Sequence, residues 1–114
     1  MRGDIMNNKD LIEKLSEFIR IKEELVEIGE IAADVSMLKI RDTLLKIGTL
    51  IQENLEEEYY IGTIAAGIGN KNIAYIIIKK NKNNLDVCCY AREGLIKQHT
   101  ARKAINKFER ELLR

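Results

Sequence analysis

The chain has 114 residues and a mass of 13.1 kDa, enough for one hydrophobic core and too little for two. With 46% hydrophobic and 32% charged residues it is not a disordered polymer, and the absence of Trp with only 5% aromatics leaves the core to Ile, Leu, Val and Ala. A formal net charge of +1 hides a polarity: residues 1–70 carry eight Lys/Arg against fourteen Asp/Glu, and residues 71–114 carry eleven against four. The mean pI is therefore uninformative. Either the two halves neutralise each other within one fold or dimer, or the basic half meets a polyanion.

The segment from Met1 to Met6 has no apolar signal core, and no stretch approaches the roughly 18 apolar residues of a membrane span. A cytoplasmic protein with no membrane partner is expected, forming one domain over residues 1–114 with residues 1–7 disordered.

From Leu11 to Ile28 the apolar residues Leu11, Leu15, Phe18 and Leu25 follow helical spacing, with Asn8 or Asp10 as cap. Gly29 and the following Ala32-Ala33-Asp34-Val35-Ser36 read as a break or a kink, with Asp34 or Ser36 capping a second helix. In that helix Met37, Ile40, Leu44, Ile47, Ile51 and Leu55 step by three and four, and the stripe ends in Glu56-Glu57-Glu58, the wrong sign for a helix C-terminus. The acidic run reads as a solvated patch.

At Tyr59 the period changes to two. Residues 59–67, 73–80 and 85–91 read as three strands joined by Gly69-Asn-Lys-Asn72 and Asn81-Lys-Asn-Asn84, which makes an antiparallel meander. The middle strand, Ile73-Ala-Tyr-Ile-Ile-Ile78, is apolar on both sides, so its second face needs a cover, either a helix or another subunit. After Gly94, Ala101, Ala104, Ile105, Phe108 and Leu112 define a last helix, with Thr100 as a cap. The expected order is α-α-β-β-β-α, an α+β fold. Its core is expected to hold Leu15, Phe18, Leu44, Ile47, Ile51, Ile76, Ile78, Val87, Ile105 and Phe108.

Chemistry-bearing patterns are few. Gly62-Thr-Ile-Ala-Ala-Gly67-Ile-Gly69-Asn-Lys71 invites a phosphate-loop reading, but Ile68 rather than Lys follows Gly67, and a strand rather than a helix follows Lys71. Small residues at a close crossing plus a hairpin turn explain it better. Cys88 or Cys89 with His99 is the one nucleophile and base pair available, and nothing in the spacing brings them together. One His and one vicinal Cys pair do not make a tetrahedral metal set, and Glu53, Glu56 and Glu57 lack the aspartates and glycine turn of a hard-cation loop. No catalytic or metal-ligating residue is assigned, and no cofactor is expected.

The basic residues carry more weight. Lys71, Lys79, Lys80, Lys82, Arg92, Lys97, Arg102 and Lys103 lie at the hairpin tips and around the start of the last helix, where they would contact nucleic-acid phosphates. Tyr75 and Tyr90 are the only strand aromatics within the basic half to stack on bases, and the acidic half opposes the reading. The reading ranked first is a small, non-catalytic interaction or regulatory module that works as a homodimer and presents a surface to a partner protein. Nucleic-acid binding through those eight residues comes second, and a cysteine-dependent enzyme third.

Overall fold

A computed structural model describes residues 6–94 and 96–114. Along the chain they form α1 (Asn8–Leu15), β1 (Val26–Ile31), α2 (Met37–Ile47), β2 (Gly48–Asn54), β3 (Tyr59–Ala66), β4 (Asn72–Asn81), β5 (Asn84–Ala91) and α3 (Thr100–Leu112). Short 3-10 turns occupy Glu23–Leu25 and Ile68–Asn70. The fold is mixed α+β, with three α-helices and one antiparallel five-stranded sheet of order β1-β5-β4-β3-β2. No described helix is long and apolar enough to cross a membrane.

Three of the strands are the expected meander; the other two replace helix. The first expected helix stops at Leu15, where Ser16 caps it and turns its hydroxyl back onto the Glu13 carbonyl at 2.7 Å. Its cap is Asn7, paired with Asp10 in a reciprocal capping box, rather than Asn8 or Asp10 alone. Of the terminal stretch expected to be disordered, residues 1–5 lie outside the described residues, while Met6 packs on the core beneath α1. The C-terminal part of that helix is instead β1, which pairs with β5 from Val26↔Tyr90 to Ile31↔Leu85. Gly29 neither breaks nor kinks a helix. It sits in β1 opposite Val87, where an added Cβ would lie 3.3 Å from Ile105.

The second expected helix is likewise cut short. α2 starts at the Ser36 cap, whose hydroxyl accepts from the Lys39 N–H at 3.1 Å, and ends at Ile47. From Gly48 the chain is β2, and here glycine is required by space: a Cβ at Gly48 would lie 1.9 Å from the Thr63 carbonyl oxygen, and one at Gly62 would lie 2.1 Å from that of Thr49. The two glycines let β2 and β3 approach beside a bulge between Leu50 and Gln52. The acidic run therefore ends no helix. It is the β2–β3 turn, in which the Asn54 side chain accepts from the Glu57 N–H at 2.9 Å and Glu58 takes a positive φ of 59°.

The alternation of each strand divides the core in two. On one face Tyr60, Ile64, Ile76, Ile78, Val87 and Cys89 pack against Ile40 and Leu44 of α2 and Ala104, Ile105, Phe108 and Leu112 of α3. On the other, Tyr59, Ile61, Ile77, Cys88 and Tyr90 pack against Leu11 and Leu15 of α1. The second face of β4 is thus covered by a helix of the same chain, so that face supplies no reason for a second subunit. Of the expected core, Phe18 and Ile51 are 42% and 39% exposed and Ile47 is half-buried, while the other seven are buried.

Candidate functional site

The helix on the second face is only eight residues long, and the chain leaves it at Ser16 in an irregular path toward β1. That path runs over the ends of β4 and β5 without filling the space beneath it. Two hollows result. One, of about 550 Å³, lies among Phe18, Arg20, Lys71, Ile73, Tyr75 and Arg92. The other, of about 280 Å³, lies among Arg20, Lys22, Leu25, Tyr90, Arg92 and Glu93. Sharing Arg20 and Arg92, they form one cleft with an apolar and aromatic floor and a cationic rim.

Among the described residues Glu93 is the one carboxylate lining the cleft, and it is committed elsewhere. Its oxygens accept from the Gln98 N–H at 2.6 Å and the Thr100 N–H at 3.0 Å, at the N-terminus of α3. Burial raises its pKa, but those two bonds, the Thr100 hydroxyl and the neighbouring His99 outweigh it and hold the carboxyl below its ordinary value. The α3 cap is therefore built by Glu93, with His99 at the cap position in left-handed backbone at φ 54°, and Thr100 is the first helical residue. Gln98 also accepts from the Ile68 N–H at 2.9 Å, which ties the glycine-rich β3–β4 turn to this end of the sheet. Gly67, at φ 77°, lies where a Cβ would come within 2.6 Å of Gln98, so the glycine run serves a tight turn and a close crossing.

The eight basic residues singled out in the sequence fall into separate groups. Lys71 and Arg92 line the cleft and lie side by side, the Asn72 side chain donating to the Arg92 carbonyl at 3.1 Å. Lys97 borders a neighbouring hollow of about 160 Å³ shared with Glu24, Glu27 and Glu93, among carboxylates. Arg102 pairs with Glu27 at 2.9 Å and also donates to the Ile28 carbonyl at 2.9 Å. Lys103 is exposed on α3. Lys79, Lys80 and Lys82 stand at the opposite end of the ten-residue β4, about 30 Å away at strand rise. Of these Lys79 is fully buried, its ammonium donating to the Glu57 carbonyl at 2.6 Å and the Lys80 carbonyl at 3.2 Å. One continuous basic face does not form.

Arg20, Lys22 and Phe18 line the cleft without any sequence motif that points to them. Phe18, expected in the core, lines the cleft instead, and no local pattern marks Arg20 as part of it.

Both cysteines are buried free thiols on opposite faces of β5. Burial, with Asp86 nearby, pushes the Cys88 thiol up to about 12, and its sulfur lies 4.0 Å from the Asn8 carbonyl under α1. Cys89, beneath α3, is raised further by its burial. His99 is exposed at the α3 cap, and neither thiol bonds to it. Among the described residues no three His, Cys, Asp or Glu side chains gather closely enough to hold a metal ion, and Glu53 instead faces Arg41 at 3.7 Å.

The two sheet edges differ as well. β1 carries Glu27 and Glu30, and Arg102 occupies one of its carbonyls. No described side chain bonds to the β2 backbone, and α2 beside it exposes Leu38 and Leu45, 62% and 43% accessible and two turns apart on one helix face. Comparison with protein-family models, curated proteins and solved structures finds no match to this chain.

Proposed function

We propose that the chain is a non-catalytic interaction module that works as a homodimer, joined at the β2 edge and the outer face of α2. The observation that carries the reading is the asymmetry of the edges: Arg102 takes one β1 carbonyl and that strand carries Glu27 and Glu30, while no described side chain bonds to the backbone of β2, which exposes Ile51 beside the exposed Leu38 and Leu45 of α2. Arg41 and Glu53, 3.7 Å apart, tie the α2 face to β2 as one surface. Tyr60 between them has its phenol raised by burial and by Glu53, against the opposing effect of Arg41. With Arg41 and Lys46 set against Asp42 and Glu53, the surface is balanced in sign, so a second copy meets it without net repulsion. An isologous interface requires that self-complementarity.

A single set of sedimentation runs tests it. The wild type is expected to sediment as a dimer at tens of micromolar and to dissociate on dilution, and a Leu38→Glu/Leu45→Glu variant, changed only at exposed positions, as a folded monomer. A wild type that stays monomeric throughout, or a double variant that remains dimeric, refutes the assignment.

A further inference from the structure

Arg20, Lys22, Lys71 and Arg92 are all exposed, converge on one cleft, and make no ion pair or side-chain hydrogen bond with any described residue. Elsewhere Arg41, Lys46, Arg102 and Arg114 each find a carboxylate. Clustered, unneutralised cations repel one another, and an anion entering between them relieves that repulsion. Two of the four are arginines, whose planar forks match phosphate oxygens in pairs.

The same hollow leaves apolar surface in water. Phe18 is 42% and Ile73 47% exposed, and the half-buried Tyr75 stands on β4 beside them. Inorganic phosphate would satisfy the rim and leave this floor wet, whereas a duplex keeps its bases stacked inside and cannot offer them to an aromatic floor. A group with a flat aromatic face and a phosphate a few ångströms away satisfies both.

We propose that the cleft binds a nucleotide unit, the base lying on Phe18 and Tyr75 and the phosphate among Arg20, Lys71 and Arg92. The unit is either a free nucleoside phosphate or one link of a single-stranded nucleic acid. The cleft lies at the ends of β4 and β5 with β3 between it and β2, so dimerisation at the β2 edge leaves it open. The two assignments stand or fall separately.

The test is binding of fluorescein-labelled oligouridylate by polarisation, and of ATP and GTP by calorimetry, on the full chain at low salt. Micromolar binding of at least one probe is expected, with log K for the oligomer falling against log[salt] at a slope of about −0.7 for each phosphate the rim neutralises. Arg20→Glu and Arg92→Glu should each weaken it about tenfold or more. Phe18→Ala should weaken it by about fivefold to a hundredfold through lost stacking. Lys80→Glu, about 30 Å away at the far end of the sheet and about three screening lengths at 0.1 M salt, should change binding measured at that salt less than about twofold. Phe18, Arg20 and Arg92 are exposed and Lys80 is half-buried, and far-UV circular dichroism verifies each fold. Binding of the oligomer alone assigns a single strand, and binding of the mononucleotides alone assigns a free nucleotide; both uphold the site. Failure of every probe at millimolar concentration overturns it, as does binding indifferent to Arg20→Glu and Arg92→Glu, or binding of inorganic polyphosphate equal to oligouridylate with no loss in Phe18→Ala.

Discussion

The two faces of the sheet are built to different standards. Under α2 and α3 the packing is continuous from Ile31 at one edge to Tyr60 and Ile64 toward the other, closed by the buried row Ala101, Ala104, Ile105, Phe108 and Leu112. Under α1, two leucines of an eight-residue helix hold down a smaller cluster, and the chain that continues from it leaves a cleft. The same strands supply both faces, so the difference lies in the helices that cover them. The thick face sets global stability, and the thin face is where the molecule can hold a ligand or open locally.

Truncation at the two sites measures that difference. Phe108→Ala removes a fully buried ring from the larger cluster and should cost about 3–5 kcal/mol, with loss of cooperative unfolding at moderate denaturant. Leu15→Ala, also fully buried, should cost about 2–3 kcal/mol, because α1 can shift to close part of the void. Hydrogen exchange sharpens the contrast: in Leu15→Ala the α1 amides should lose protection while those of β4 and β5 keep theirs. Equal loss across both layers would mean that the sheet and its two covers form a single unfolding unit.

The adjacent cysteines report on the same contrast without any substitution. Cys88 lies under α1 and Cys89 under α3, and both thiols are held far from the thiolate form that reacts with alkylating agents. Local opening of α1 exposes Cys88 alone, whereas Cys89 requires release of α3. Mass-spectrometric labelling under native conditions should modify Cys88 several times faster than Cys89, and Leu15→Ala should widen the ratio. Identical rates would show that both thiols are reached only by global unfolding.

How much of this was legible in the sequence follows from what fixes each element. β4, β5 and α3 were readable because period and punctuation agree there: Ile76 and Ile78 alternate with neighbours that face the other helix, Asn81 to Asn84 mark the turn, and Ala101 to Leu112 follow a helical stripe. β1 and β2 were not. Ile47, Ile51 and Leu55 happen to continue the four-residue step of α2, and the signal against it was one residue, Gly48, needed because β3 passes 1.9 Å from where its Cβ would be. Val26-Glu27-Ile28 alternates, but the leucine before it extends a helical pattern, and only pairing with β5 decides for strand. The site fares similarly. Lys71 and Arg92 announced themselves as basic residues flanking strands, whereas Phe18, Arg20 and Lys22 join them through the path of the chain after Ser16, which no local pattern specifies.

The smallest expected effect concerns a charge within the thin face. Asp86 sits on β5 opposite Glu30 of β1 and Lys79 of β4. Burial raises its pKa first and Glu30 second, and these outweigh the side chain of Asn81, which donates to its carboxylate, and the attraction of Lys79. A carboxyl whose folded pKa lies above its unfolded value favours the folded state while protonated. That contribution is complete below the ordinary value of 3.8 and is lost as pH rises through the folded pKa. The ionised form of Asp86 is therefore held at a net cost. Asp86→Asn keeps the size and an acceptor for Asn81 while removing the charge that faces Glu30. It should raise the unfolding midpoint at pH 7 and do so by progressively less as pH falls toward 3.8. Glu93 and Glu111, both held below their ordinary values, act with the opposite sign, so the wild type still loses stability on acidification. The diagnostic is thus the difference between wild type and variant rather than either curve alone. A gain that does not shrink toward acid pH would mean that it comes from packing rather than charge, and a loss at pH 7 would mean that the Lys79 attraction dominates and that the Glu30–Asp86–Lys79 row is a stabilising ion cluster.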